Sequence, residues 1–135
     1  MLFRSLAYVS KETGSDEVYV RAFPGPASKI AVSVGGGAEP RWARDGRHLY
    51  YRSSAAGSPK LTIATLATSP SFSVTARSAI FDDRFVRAAR GWPDYDVAPD
   101  GKSFVMVMRG DSASKLVGIV NFLSALRNGQ GARKK

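Results

Sequence analysis

Cysteine is absent from the 135 residues, which excludes a disulfide framework, a thiolate metal site and a thiol nucleophile and leaves the redox compartment open. No apolar run approaches the roughly 18 residues of a membrane-spanning helix. The opening MLFRSLAYVS lacks the basic start, long apolar stretch and small-residue cleavage site of a secretory signal. Histidine occurs once, at His48 beside Arg47, and no G-x-S-x-G elbow accompanies it, so a Ser-His-Asp triad is not expected and His48 reads as an ordinary strand residue. The glycine-rich VGGGAEP has neither the lysine nor the Ser/Thr of a phosphate loop and reads as a connection between an outer strand and the next inner one.

What is present points to one globular β-rich domain. Hydrophobic residues make up 44% and charged residues 23%, which is not the composition of a disordered tail. The net charge of +9 is scattered over Arg41, Arg44, Arg47, Arg52, Arg77, Arg84, Arg87 and Arg90, with a short basic end at Arg133, Lys134 and Lys135. Without a long basic block, a solvated surface is the favoured reading over nucleic acid or an anionic membrane or glycan.

The apolar period is two almost throughout. Residues 6–10, 17–23, 29–34, 47–53, 60–66 and 103–108 are short, rich in β-branched or aromatic residues, and bounded by Gly, Pro and Asp turn signals. These are expected strands of antiparallel meanders. Near the end, Val120, Phe122, Leu123 and Leu126 match a helical face that Asn128-Gly129 can close, which predicts one short helix. Beyond it, 128–135 is expected to be a disordered basic tail.

Two stretches repeat. EPRWARDGRHLYYRS (39–53) and PDYDVAPDGKSFVMVM (93–108) each carry an aromatic before an Asp-Gly turn and an apolar strand after it. FRSLAYVS matches the second half of both, so the first copy starts halfway through. Each unit reads as four strands, with units at about 3–38, 39–92 and 93–127. The range expected of propeller blades covers this length.

These stretches resemble the P-x-W-S-P-D-G-[KR]-x-[LI]-x-[YF] motif of TolB-type β-propeller repeats, with Arg44 standing where the repeat usually has Pro. The resemblance implies an all-β partial propeller, just under three four-stranded antiparallel blades with a short C-terminal helix. The order of the pieces is also similar to the C-terminal end of propellers fused to bacterial receptor-like serine/threonine protein kinases, which implies a chain belonging to a larger protein. The polar end GQGARKK is expected to be a true C-terminus. In that setting the location would be periplasmic or extracytoplasmic. The kinase half has no counterpart: the nucleotide loop, strand lysine, H-R-D and D-F-G are all missing.

Catalytic, metal and cofactor residues are therefore expected to be none. Asp45 and Asp100 have structural work in their turns, and Asp82-Asp83 and Asp94/Asp96 lack a partner base or metal-loop spacing. Trp42 is expected in the core. The irregular basic-aromatic segment with Arg84, Arg87, Arg90 and Trp92 is the expected contact surface, since loops on a rigid β scaffold often carry binding. Its expected partner is a protein or peptide, with a glycan second and nucleic acid disfavoured. Self-association through exposed blade edges, Leu6 to Val9 first, is a further expectation. The alternatives are a propeller segment accompanying a peptidase or hydrolase, or a basic nucleic-acid-binding module.

Overall fold

A computed structural model of the chain describes residues 4–25, 28–87, 93–110 and 114–119. The fold is all-β. Among the described residues ten strands run β1 (Arg4–Ser10), β2 (Glu17–Phe23), β3 (Ile30–Ala31), β4 (Gly37–Trp42), β5 (His48–Ser53), β6 (Lys60–Ala67), β7 (Ser73–Asp82), β8 (Tyr95–Val97), β9 (Phe104–Arg109) and β10 (Ser114–Ile119), with one 3-10 turn at Ala55–Gly57. They form three antiparallel meanders in the orders β1-β2-β3, β4-β5-β6-β7 and β8-β9-β10. Among the described residues the middle sheet has the four strands expected of a full unit, the first sheet has three, as expected of a unit that starts halfway through, and the third has three. The expected helix at 120–127 and the tail lie outside the described residues.

The chain divides into two compact units, Met1–Arg84 with the first two sheets and Phe85–Lys135 with the third. Within the first unit, alternation decides the core. Val18 and Val20 of the first sheet and Val32, just past β3, meet Leu49, Tyr51, Ala64 and Leu66 of the middle sheet in one buried cluster, with Ala7, Ile30, Trp42, Phe72 and Val74 packed around it. Trp42 is thus a core-packing residue. Arg77, on the edge strand β7, ties the sheets together by donating from Nε to the Val32 carbonyl at 2.6 Å.

Two expectations about residues 29–40 need correction. The strand expected over 29–34 ends at Ala31, because the Val32 and Ser33 amides both turn to the Val18 carbonyl (2.7 and 3.3 Å) and the Ser33 hydroxyl takes the Val18 amide at 2.7 Å. A ladder cannot continue through a residue whose partner is already used. Conversely, the second half of VGGGAEP is not a connection but the start of β4. The strand accommodates Pro40, which has no amide to donate, by a bulge between Ala38 and Arg41, where Glu39 takes a left-handed φ of 53°.

The hairpin registers repeat. Leu6 pairs with Arg21; 43 positions on, Leu49 pairs with Ala64; 55 positions further, Phe104 pairs with Ile119. The other pairs of these hairpins follow the same shifts, from Ser10 with Glu17 to Ser53 with Lys60 to Met108 with Lys115. β4-β5 and β8-β9 correspond in the same way, Trp42 with Leu49 and Val97 with Phe104.

Candidate functional site

The two Asp-Gly turns are built from the same bonds. In the first, the Ala43 amide donates to the His48 carbonyl (2.9 Å), Gly46 to Ala43 (3.1 Å) and Arg47 to the Asp45 carboxylate (2.8 Å). In the second, Ala98 donates to Ser103 (2.8 Å), Gly101 to Ala98 (2.9 Å) and Lys102 to Asp100 (2.8 Å). Gly46 and Gly101 both sit at a φ of 67°, which a side chain would strain. Arg44 in place of Pro99 leaves this geometry intact. Burial disfavours the charged Asp45 carboxylate, but the Arg47 and His48 amides and the His48 ring outweigh it and hold its pKa below the usual value. Both aspartates are occupied in shaping turns.

The glycine run is likewise occupied. The Gly36 amide donates to the buried Glu17 carboxylate at 2.8 Å, Gly37 donates to the Asp16 carbonyl at 2.8 Å, and the Ser33 hydroxyl also bonds Glu17. A phosphate loop leaves its amides to the ligand; here the chain's own carboxylate takes one. At Gly37 a Cβ would stand 2.5 Å from the Ser33 Cβ, so only glycine passes this point without displacement.

The deepest polar group is Arg52, fully buried on β5. Asp83 accepts from its Nε and Nη2, each at 2.6 Å, and Glu39 accepts from Nη1 at 3.4 Å. Burial works against the charge, and the two carboxylates outweigh it, holding the guanidinium pKa above its ordinary value. A bidentate arginine with both partners fixed is a clamp, pinning the end of β7 and the β4 bulge to the centre of the sheet. Asp82, the neighbour of Asp83, serves elsewhere. Its carboxylate meets Lys60 at 2.6 Å, and that bond and charge, with Arg84 adding, lower its pKa. The adjacent aspartates therefore do not converge. Asp96 is exposed and accepts from the Val97 amide at 2.9 Å, and Asp94 is half-buried. Among the described residues no three His, Cys, Asp or Glu side chains gather as metal ligands, and no helix is long and apolar enough to cross a membrane.

Of the expected contact residues, Arg84 and Arg87 are exposed. Arg90 and Trp92 lie outside the described residues. The structure adds an apolar and cationic surface on the first sheet, on the face turned away from the core. There Leu6 and Phe23 are exposed beside Arg21, and the Tyr8 ring stacks on Tyr19 at 5.8 Å, with Lys29 over Tyr19 at 5.3 Å. The sequence signal for this face is the alternation Leu6-Tyr8 against Tyr19-Arg21-Phe23, which a search for edges alone passes over. No protein-family model matches the chain, and no curated protein is significantly similar to it.

Proposed function

We propose that the chain is a run of β-propeller blades of the TolB type, a non-catalytic interaction or sensing module of a larger bacterial protein such as a receptor-like serine/threonine kinase. The observation that carries this reading is the recurrence of one hairpin register in all three sheets, joined in two of them to the same Asp-Gly turn. Blades are built by such repetition, each burying faces against its neighbours. The polar clusters support a module without chemistry of its own, because Asp45, Asp83, Asp100 and Glu17 are all engaged in holding backbone or an arginine. Binding then falls to side chains carried by the scaffold: the exposed Arg84 and Arg87, together with Arg90 and Trp92 of the same basic-aromatic segment of the sequence, are the contacts for a protein or peptide partner.

The test is retention of the chain on an array of acidic, neutral and basic peptides, read alongside turnover of ATP and of ester and peptide substrates. The expected result is peptide retention that falls when Arg84→Ala and Arg87→Ala are combined, with no turnover. Turnover lost in His48→Ala or Asp96→Ala would overturn the reading.

A further inference from the structure

The repeated register shows which face of each sheet corresponds to which. In the first unit, the face of the middle sheet carrying Leu49, Tyr51 and Ala64 is covered by the face of the first sheet carrying Ala7, Val18 and Val20. Shifted back 43 positions, the covered face of the middle sheet becomes Leu6, Tyr8 and Arg21 of the first sheet. Shifted forward, the covering row Ala7–Val20 becomes Val105–Gly118 of the third sheet, since Ala7 with Val20, Tyr50 with Ile63 and Val105 with Gly118 are equivalent pairs. The first sheet therefore presents the receiving face and the third sheet the donating face of the same sheet-on-sheet contact. Both are open: Leu6 is 51% and Val105 39% exposed, and Arg21, Asp96 and Gly118 are exposed with them.

The two open faces also match in size and charge. Where the covered contact sets small Ala64 against the valine row, the open receiving face has the long Arg21. Opposite it the donating face has Gly118, around which a Cβ would meet no atom within 4 Å. Asp96 flanks Val105 on β8. It lies two strands from Gly118, about 10 Å, within the combined reach of an arginine and an aspartate. We infer that the Leu6–Tyr8–Arg21 face of one copy receives the Asp96–Val105–Gly118 face of a second copy. The occupant is thus a second copy of this chain, in a contact whose two sides are different faces. It rests on register and exposure and stands apart from the partner proposed for Arg84 and Arg87.

Sedimentation velocity on the whole chain over a hundredfold concentration range tests this, with circular dichroism to confirm that each variant keeps its strand signal. The expected result is self-association of the unaltered chain, and a monomer for both Leu6→Asp and Val105→Asp. Mixing the two variants restores one contact only, because each retains the face the other has lost, so a 1:1 dimer forms and grows no further. Arg21→Asp weakens association, and combining it with Asp96→Arg restores it. A monomeric unaltered chain, an association untouched by Leu6→Asp, or variants that stay monomeric when mixed would each overturn the inference. Self-association retained by Val105→Asp would overturn it as well and would point to a symmetric pairing of β1 edges. The peptide array is read independently of all of these, so failure here leaves the function proposed above standing.

Discussion

The β1-β2 and β5-β6 hairpins are one hairpin twice in register and two different objects in environment. Leu6 and Leu49 occupy the same position, yet Leu6 is 51% exposed and Leu49 fully buried; Val9 is 39% exposed while its counterpart Arg52 is fully buried. Strand alternation and turn length set the register, whereas burial depends on neighbours. β5 has β4 at its side and the first sheet over its face, while β1 is the edge of its sheet. That difference explains how the less hydrophobic residue can be the more buried. Arg52 is enclosed because Asp83 and Glu39 arrive with it, and Val9 has no such company.

The largest effect that would break this comparison is at Arg52. Arg52→Ala should cost about 3–5 kcal/mol in urea unfolding, because Asp83 is left buried without its partner, while Val9→Ala at the equivalent position stays within about 0.5 kcal/mol. Equal costs would show that the two hairpins share their surroundings after all. The leucine pair follows: Leu49→Ala should lose about 2–5 kcal/mol to cavity formation, and Leu6→Ala should be nearly silent in the same measurement at a concentration where the chain is monomeric.

The two Asp-Gly turns sharpen the point by predicting likeness. Asp45→Ala and Asp100→Ala each remove a carboxylate that accepts a turn amide, and each should cost about 0.5–1.5 kcal/mol in thermal or urea unfolding. Turns of unequal worth would separate the two copies.

Much of this organisation is legible in the sequence. The strands at 17–23, 47–53, 60–66 and 103–108 were legible from alternation, and the paired turns from Asp-Gly with matching flanks. The start of β4 was hidden because Gly37, Glu39 and Pro40 are individually poor strand residues, and only a bulge with a left-handed Glu39 makes them one. The Arg52 clamp was hidden for another reason: Asp83 lies 31 positions away, and nothing local distinguishes it from Asp82, which faces Lys60 instead. Of the contacts proposed from the sequence, Arg84 and Arg87 are exposed. The receiving face of the first sheet required knowing which of two alternating rows the core had taken.

The smallest expected effect is on acid stability. Asp45 and Asp82 have pKa values lowered in the folded chain, so their contribution is fully present above the ordinary aspartate value of about 3.9. It is lost as pH falls through their lower folded values. Both side chains are largely solvated, so the slope in an acid titration of unfolding should be shallow, and Asp45→Asn should flatten it.

Cross-strand Hα–Hα nuclear Overhauser contacts report register directly, because only alternate pairs of an antiparallel ladder bring their Cα atoms to about 4.5 Å. If the three hairpins are copies, the set of close pairs seen in β1-β2 recurs in β5-β6 after 43 positions and in β9-β10 after a further 55, with Leu6–Arg21, Leu49–Ala64 and Phe104–Ile119 behaving alike. A set displaced by one residue in any hairpin would exchange its faces and contradict the repeat.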